Sequence, residues 1–149
     1  MVNAQEWLDA NYPPNGICQR QEDKENYGKT RDQINELDIS GQNLEGTLYL
    51  NGLNLRKLNV SYNKLTGLLS GSGSFGFMEE LDLSHNWFSG SFPQWSTSIL
   101  RKYNFSHNSI SRYLLDVPNL THLDANNNAL IELGFESTIN LQKLDCSNN

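Results

Sequence analysis

The chain has 149 residues, with 17 acidic against 11 basic side chains, a net charge of −6 and 37% hydrophobic residues. That length suits one domain with a buried core, and the acidic balance argues against nucleic-acid phosphates or anionic membranes as partners. No apolar run approaches the ~18 residues of a membrane-inserted helix, and the only cysteines, Cys18 and Cys146, are too few for a disulfide framework.

The opening "MVNAQEWLDANYPP" lacks a basic segment followed by a continuous apolar run, so it does not read as a signal peptide. With two scattered thiols, the expected location is cytoplasmic; an extracellular or cell-surface location is the alternative if the chain is a fragment. Asn3 and Glu6 are spaced as an N-x-x-E capping box, and Ala4, Trp7, Leu8 and Tyr12 share one helical face. A helix is therefore expected over about 4–12, stopped by "YPPNG". The charged run "RQEDKENYGKTRDQ" reads as a solvated connector. Together they make residues 1–33 an N-terminal cap whose helix covers the open apolar edge at the start of the remaining chain.

From Ile34 the chain repeats itself. "INELDISGQNL" is followed by "LRKLNVSYNKL" from Leu55, "MEELDLSHNWF" from Met78, "LRKYNFSHNSI" from Leu100, "LTHLDANNNAL" from Leu120 and "LQKLDCSNN" from Leu141. The copies are 21, 23, 22, 20 and 21 residues apart and fit L-x-x-L-x-L-x-x-N-x-L. Apolar residues at the fourth and sixth positions alternate with polar ones, so each copy begins with a short strand buried on one face. One strand per ~21 residues has no hairpin partner, so successive strands pair in parallel and the copies stack as a solenoid.

The ninth position is Gln42, Asn63, Asn86, Asn108, Asn128 and Asn149. Here the chain turns inward and strands backbone groups away from water. A carboxamide has donors and an acceptor to satisfy them, stacked copy on copy, which accounts for part of the 20 asparagines.

This pattern resembles the leucine-rich-repeat superfamily from Ile34 to Asn149. The resemblance implies an α/β-type solenoid: a curved array of about six repeats with a parallel sheet on its concave face and a helical cap before it. "LEGTL", "LTGLL" and "FSGSFP" continue three copies as L-x-G-x-L and are similar to plant-type repeats, in which a second short strand lines the flank. Copies four and five ("ISRYLL", "LIELGF") abandon that motif and resemble the shorter repeats of intracellular and microbial members. The lead-in resembles that of some fungal members. Secreted members usually carry paired cap cysteines, whereas Cys18 and Cys146 would lie about 25–30 Å apart at ~4.8 Å per strand. The array stops within its sixth copy, and the expectation is that more of the protein lies beyond it.

Between copies two and three, Gly71-Ser-Gly73-Ser-Phe-Gly76 spells G-x-G-x-F-G. A protein kinase would also need a valine two places on, a lysine on the next strand and later H-R-D and D-F-G segments; none is present. A dinucleotide site would need a helix directly after the glycines. The segment reads as a loop on the return path, without a nucleotide cofactor.

The polar strand positions line up as columns on the concave face. The third is Glu36, Lys57, Glu80, Lys102, His122, Lys143, and the fifth is Asp38, Asn59, Asp82, Asn104, Asp124, Asp145. Alternation lets opposite charges pair between neighbours; the alternative is recognition of a basic or mixed-charge protein segment. Asp124 and Asp145 face each other but lack a nucleophile or cleft. The eighth column, Gly41, Tyr62, His85, His107, Asn127, Asn148, is the richest in rings, with Trp87 two places beyond His85. Such side chains anchor interfaces or stack on one another; a metal at His85 and His107 would lack a third ligand.

The expected function is a non-catalytic module binding a protein or peptide. Tyr62, His85, Trp87 and His107 would supply affinity, and Glu80, Asp82 and Lys102 selectivity. No metal, cofactor, nucleic acid or membrane insertion is expected, and the sequence carries no signal for an oligomeric state. A receptor ectodomain sensing a peptide or glycan, or the targeting arm of a larger enzyme such as a kinase, are the alternatives.

Overall fold

The computed structural model describes residues 1–70, 75–91, 99–114, 117–134 and 140–149. β1 (Val2–Asn3) leads into helix α1 (Ala4–Asn11), and a short 3-10 turn occupies Arg31–Gln33. Strands then alternate between two faces: β2 (Glu36–Asp38), β3 (Leu44–Tyr49), β4 (Lys57–Asn59), β5 (Lys64–Ser70), β6 (Glu80–Asp82), β7 (Ser89–Ser91), β8 (Lys102–Asn104), β9 (Ser109–Leu114), β10 (His122–Asp124), β11 (Glu132–Gly134) and β12 (Lys143–Asp145).

The even-numbered strands form one parallel sheet in the order β2-β4-β6-β8-β10-β12. Its register matches the sequence columns: Glu36 pairs with Lys57, Lys57 with Glu80, Glu80 with Lys102, Lys102 with His122 and His122 with Lys143. Between this sheet and the flank lie the fourth- and sixth-position side chains Leu37 and Ile39, Leu58 and Val60, Leu81 and Leu83, Tyr103 and Phe105, and Leu123 and Ala125, all buried. Each large one contributes about 1.5–3 kcal/mol relative to exposure. Tyr103 and Phe105 substitute for the usual aliphatics and pack at a tilt, with ring centroids 5.1 Å apart.

The flank carries its own strands, β1-β3-β5 and β7-β9-β11, also parallel. Gly67 shows why L-x-G-x-L needs its glycine. Its φ is +69°, and a Cβ there would sit 2.8 Å from Thr47 Cγ2 on the neighbouring strand. β9 and β11 form although copies four and five lack this motif. Cross-strand pairing to the preceding repeat, Ser109 with Ser89 and Glu132 with Arg112, supplies the order that the local sequence does not advertise. Phe75, at the end of the glycine string, is buried, and Met78 N–H donates to its carbonyl (3.2 Å), closing a turn just before β6. Gly71 to Ser74, and Phe92 and Trp95 of the third flank, lie outside the described residues.

Asn3 caps α1 by accepting from Glu6 N–H at 2.9 Å. The return bond from the Glu6 side chain that a full box requires is not formed. Ala4, Leu8 and Tyr12 are buried against the first repeat, with Trp7 beside them. A two-residue strand, β1, precedes the helix and pairs with β3, adding a cover strand that the sequence did not signal. The segment expected to be a solvated connector is instead partly folded into the molecule. Tyr12 donates to Asp23 (2.6 Å), Arg20 reaches the Asp38 carbonyl (3.3 Å), and buried Asn26 donates to the Glu36 carbonyl (2.9 Å). Burial, reinforced by the bond to Asp23, pushes the Tyr12 phenol well above its usual range. Both cysteines are free thiols, with Cys18 buried.

Candidate functional site

The concave sheet and the 20–26 loop enclose a groove of about 980 Å³, lined by third- and fifth-column side chains of all six strands and closed at one end by the cap. Its columns are built differently. In the third, Lys57 reaches Glu80 at 2.9 Å and Glu36 at 3.6 Å, and Lys102 reaches Glu80 at 3.7 Å. Arg56 adds a pair to Glu36, and Arg101 stands 4.0 Å from Glu80. The bond from Lys57 is the main reason that Glu80 is held below the usual carboxylate range. Glu80 and Lys102, expected to select a partner, are thus already engaged with each other.

The fifth column has a role that charge alternation does not capture. Every member accepts the main-chain N–H two residues on: Asp38 from Ser40, Asn59 from Ser61, Asp82 from Ser84, Asn104 from Ser106, Asp124 from Asn126 and Asp145 from Ser147, at 2.9–3.2 Å. Each is an Asx turn, the local bond that favours Asp and Asn where a strand ends. The signal was visible as Asp/Asn-x-Ser/Asn in every copy. The stretches Asn59-Val-Ser61 and Asn104-Phe-Ser106, which also spell N-x-S, are two of these turns. Asp124 and Asp145 do not form an acid/base pair. The Asn126 amide bonds both carboxylates, and the Ser147 bonds hold Asp145 below its usual range, opposite to a pair sharing a proton.

The ninth-position carboxamides form a continuous inner ladder. Asn86 Nδ2 donates to the carbonyls of Val60 (3.0 Å), Leu83 (3.1 Å) and Ser84 (3.2 Å), while its Oδ1 accepts from Leu65 N–H (3.0 Å). Asn63, Asn108, Asn128 and Asn149 repeat the scheme, each donating across to the preceding repeat. Gln42 has no repeat before it, and among the described residues its side chain donates only to its own Ser40 carbonyl.

The eighth column is governed by backbone conformation. Gly41, Tyr62, His85, His107, Asn127 and Asn148 all have φ between +55° and +63°. Glycine, asparagine and histidine tolerate this region; tyrosine is an uncommon occupant, at about 1–2 kcal/mol for a left-handed residue. The rings stack in line: Tyr62 on His85 and His85 on His107, each at 4.1 Å between centroids and within 12° of parallel. Asn127 continues the row beside His107. Trp87, 55% exposed, stands apart in the tenth column, with the Lys64 ammonium 5.7 Å from its ring centroid. Three of the four expected anchors are therefore one stack and the fourth is separate.

Burial, then the neighbouring His107, lowers the His85 pKa from 6.5, and Asp82 and Asp124 oppose the shift. An NMR titration of the His85 ring should give a midpoint below 6.5. In His107→Asn, which preserves the backbone, the midpoint should move back up; an unchanged value would mean that the two imidazoles do not interact.

Among the described residues no group of three or more His, Cys, Asp or Glu is placed to hold a metal ion, and no helix is long and apolar enough to cross a membrane. A repeating strand, turn and flank strand, closed by an asparagine ladder, defines a parallel solenoid of the leucine-rich-repeat type. A family model, Leucine Rich Repeat, matches residues 54–75 and 77–99. The chain is a leucine-rich-repeat protein, of a fold that generally serves interaction between proteins and not catalysis. No curated protein matches it significantly.

Proposed function

We propose that the chain is a non-catalytic module that binds a protein or peptide on its concave face, and that the bound segment is basic or mixed in charge. The division of charge between the two middle columns carries this reading. Third-column carboxylates are neutralised by Lys57, Lys102, Arg56 and Arg101. Fifth-column Asp38, Asp82, Asp124 and Asp145 make no ion pair with lysine or arginine among the described residues. Three of them, Asp38, Asp82 and Asp124, use only Oδ1 in the bonds described, leaving the other oxygen for a ligand. An extended segment lying across the strands would meet these carboxylates in turn, and the rigid sheet holds them in place without ordering cost.

Asp82→Asn with Asp124→Asn tests this, because asparagine keeps the Asx acceptor and removes only the charge. Affinity for a peptide of alternating lysine and glycine should fall about tenfold at low salt, with a flatter salt dependence. The melting temperature should stay within about 2 °C. Unchanged affinity would refute the reading.

A further inference from the structure

The ring stack has one capped end and one open end. Asn127 continues it past His107. At the other end the next member is Gly41, where an added Cβ would meet nothing within 4 Å. The Tyr62 ring, 63% exposed, has one face on His85 and the other toward this gap. The groove wall reaches the same corner through Asp38, Ser40 and Gln42. Asp38 lies three residues before Gly41, and its Oδ1 accepts from the Ser40 N–H (3.0 Å) and Oγ (2.6 Å), which keeps its carboxylate at the turn that carries Gly41. Arg20 donates to the Asp38 main-chain carbonyl (3.3 Å), and among the described residues the Asp38 carboxylate makes no ion pair with lysine or arginine.

We infer that the gap over Gly41, between the Tyr62 ring and the Asp38 carboxylate, is a subsite for one arginine side chain of the bound polypeptide. A guanidinium is flat enough to take the next place in a stack spaced at 4.1 Å, and it carries charge and edge-on donors for a carboxylate. An ammonium offers charge without a plane, and a phenyl ring a plane without charge. This subsite rests on the basic-segment reading of the groove and assigns one residue of that segment.

The test is an NMR titration of the whole chain with acetyl-(Gly-Arg)3-amide and its lysine and phenylalanine counterparts, repeated on Gly41→Asn. Asparagine occupies the same column at Asn127 and Asn148 with φ of 55° and 58°, so the variant keeps the backbone and fills the gap. The arginine peptide should shift the Gly41 amide and the Tyr62 ring and bind about threefold or more tighter than the lysine peptide; Gly41→Asn should abolish both the shifts and the preference. Equal shifts at Gly41 from all three peptides, stronger binding of the phenylalanine peptide there, or an arginine preference that survives Gly41→Asn would overturn the subsite. If the arginine peptide weakens on Asp82→Asn with Asp124→Asn but not on Gly41→Asn, the subsite fails and the groove reading stands. If neither variant weakens it, both fail.

Discussion

Replacing Asn86 with leucine should lower the unfolding free energy by about 3 kcal/mol, measured by urea denaturation. Asn86 is 4% exposed and serves four main-chain groups. The loss is graded among them. The Val60 carbonyl keeps a bond from Asn63, and the Leu83 carbonyl keeps one from Asn108, because neighbouring ladder members share acceptors. The Leu65 N–H has only Asn86 Oδ1 among the described bonds and would be left buried without an acceptor. Asn149→Leu, at an exposed end of the ladder, should cost below about 1 kcal/mol. Asn86→Asp would turn a carboxylate toward three carbonyls, raising its folded-state pKa. Its penalty should therefore shrink as pH falls through that raised pKa, when the protonated acid regains a donor. Equal effects at positions 86 and 149 would show that the ladder does not hold the repeats together.

The fold was legible because its determinants are periodic. A leucine at the fourth position and an asparagine at the ninth have the same task in every copy, so repetition makes up for the weakness of any single signal. Pairing partners came directly from this: once strands must be parallel and adjacent, Glu36 can only face Lys57. What stayed hidden depends on one neighbour at a time. β9 forms because β7 offers it a partner, not because "ISRYLL" announces a strand. From sequence the rings of the eighth column either anchor a partner or stack on one another; they stack, and their residue types are first a response to a left-handed backbone that Tyr62, His85 and His107 all adopt. Stacking is then a consequence of spacing, and the ring face next to Gly41 is the one we propose for a ligand. The Glu80 and Lys102 assignments were blurred by the same ambiguity: a charge column looks alike whether it awaits a partner or neutralises itself, and side-chain distances are needed to separate the two.

Arg31 illustrates a residue that sequence reasoning passed over entirely, and its replacement should have the second large effect. It lies in a charged run, yet it is 5% exposed. Its Nε donates to the Tyr12 carbonyl (2.8 Å), Nη1 to the Asn51 carbonyl (2.9 Å) and Nη2 to Asp9 Oδ1 (2.9 Å). One guanidinium thereby clasps the end of α1 to the turn just after β3. Arg31→Leu leaves two carbonyls without this donor and Asp9 without its ion pair, for an expected loss of about 3 kcal/mol; Asp9 is half-exposed, so water recovers part of the ionic contribution. Arg31→Lys should rescue little, since an ammonium cannot span three acceptors in a fork. Each repeat leans mainly on its neighbours, so the damage should be local. Hydrogen exchange should show lost protection in α1 and β1, with β6, β8 and β10 retaining theirs. A uniform loss across all strands would mean that the cap and the array unfold as one cooperative unit, and no loss in α1 would mean that the clasp holds nothing.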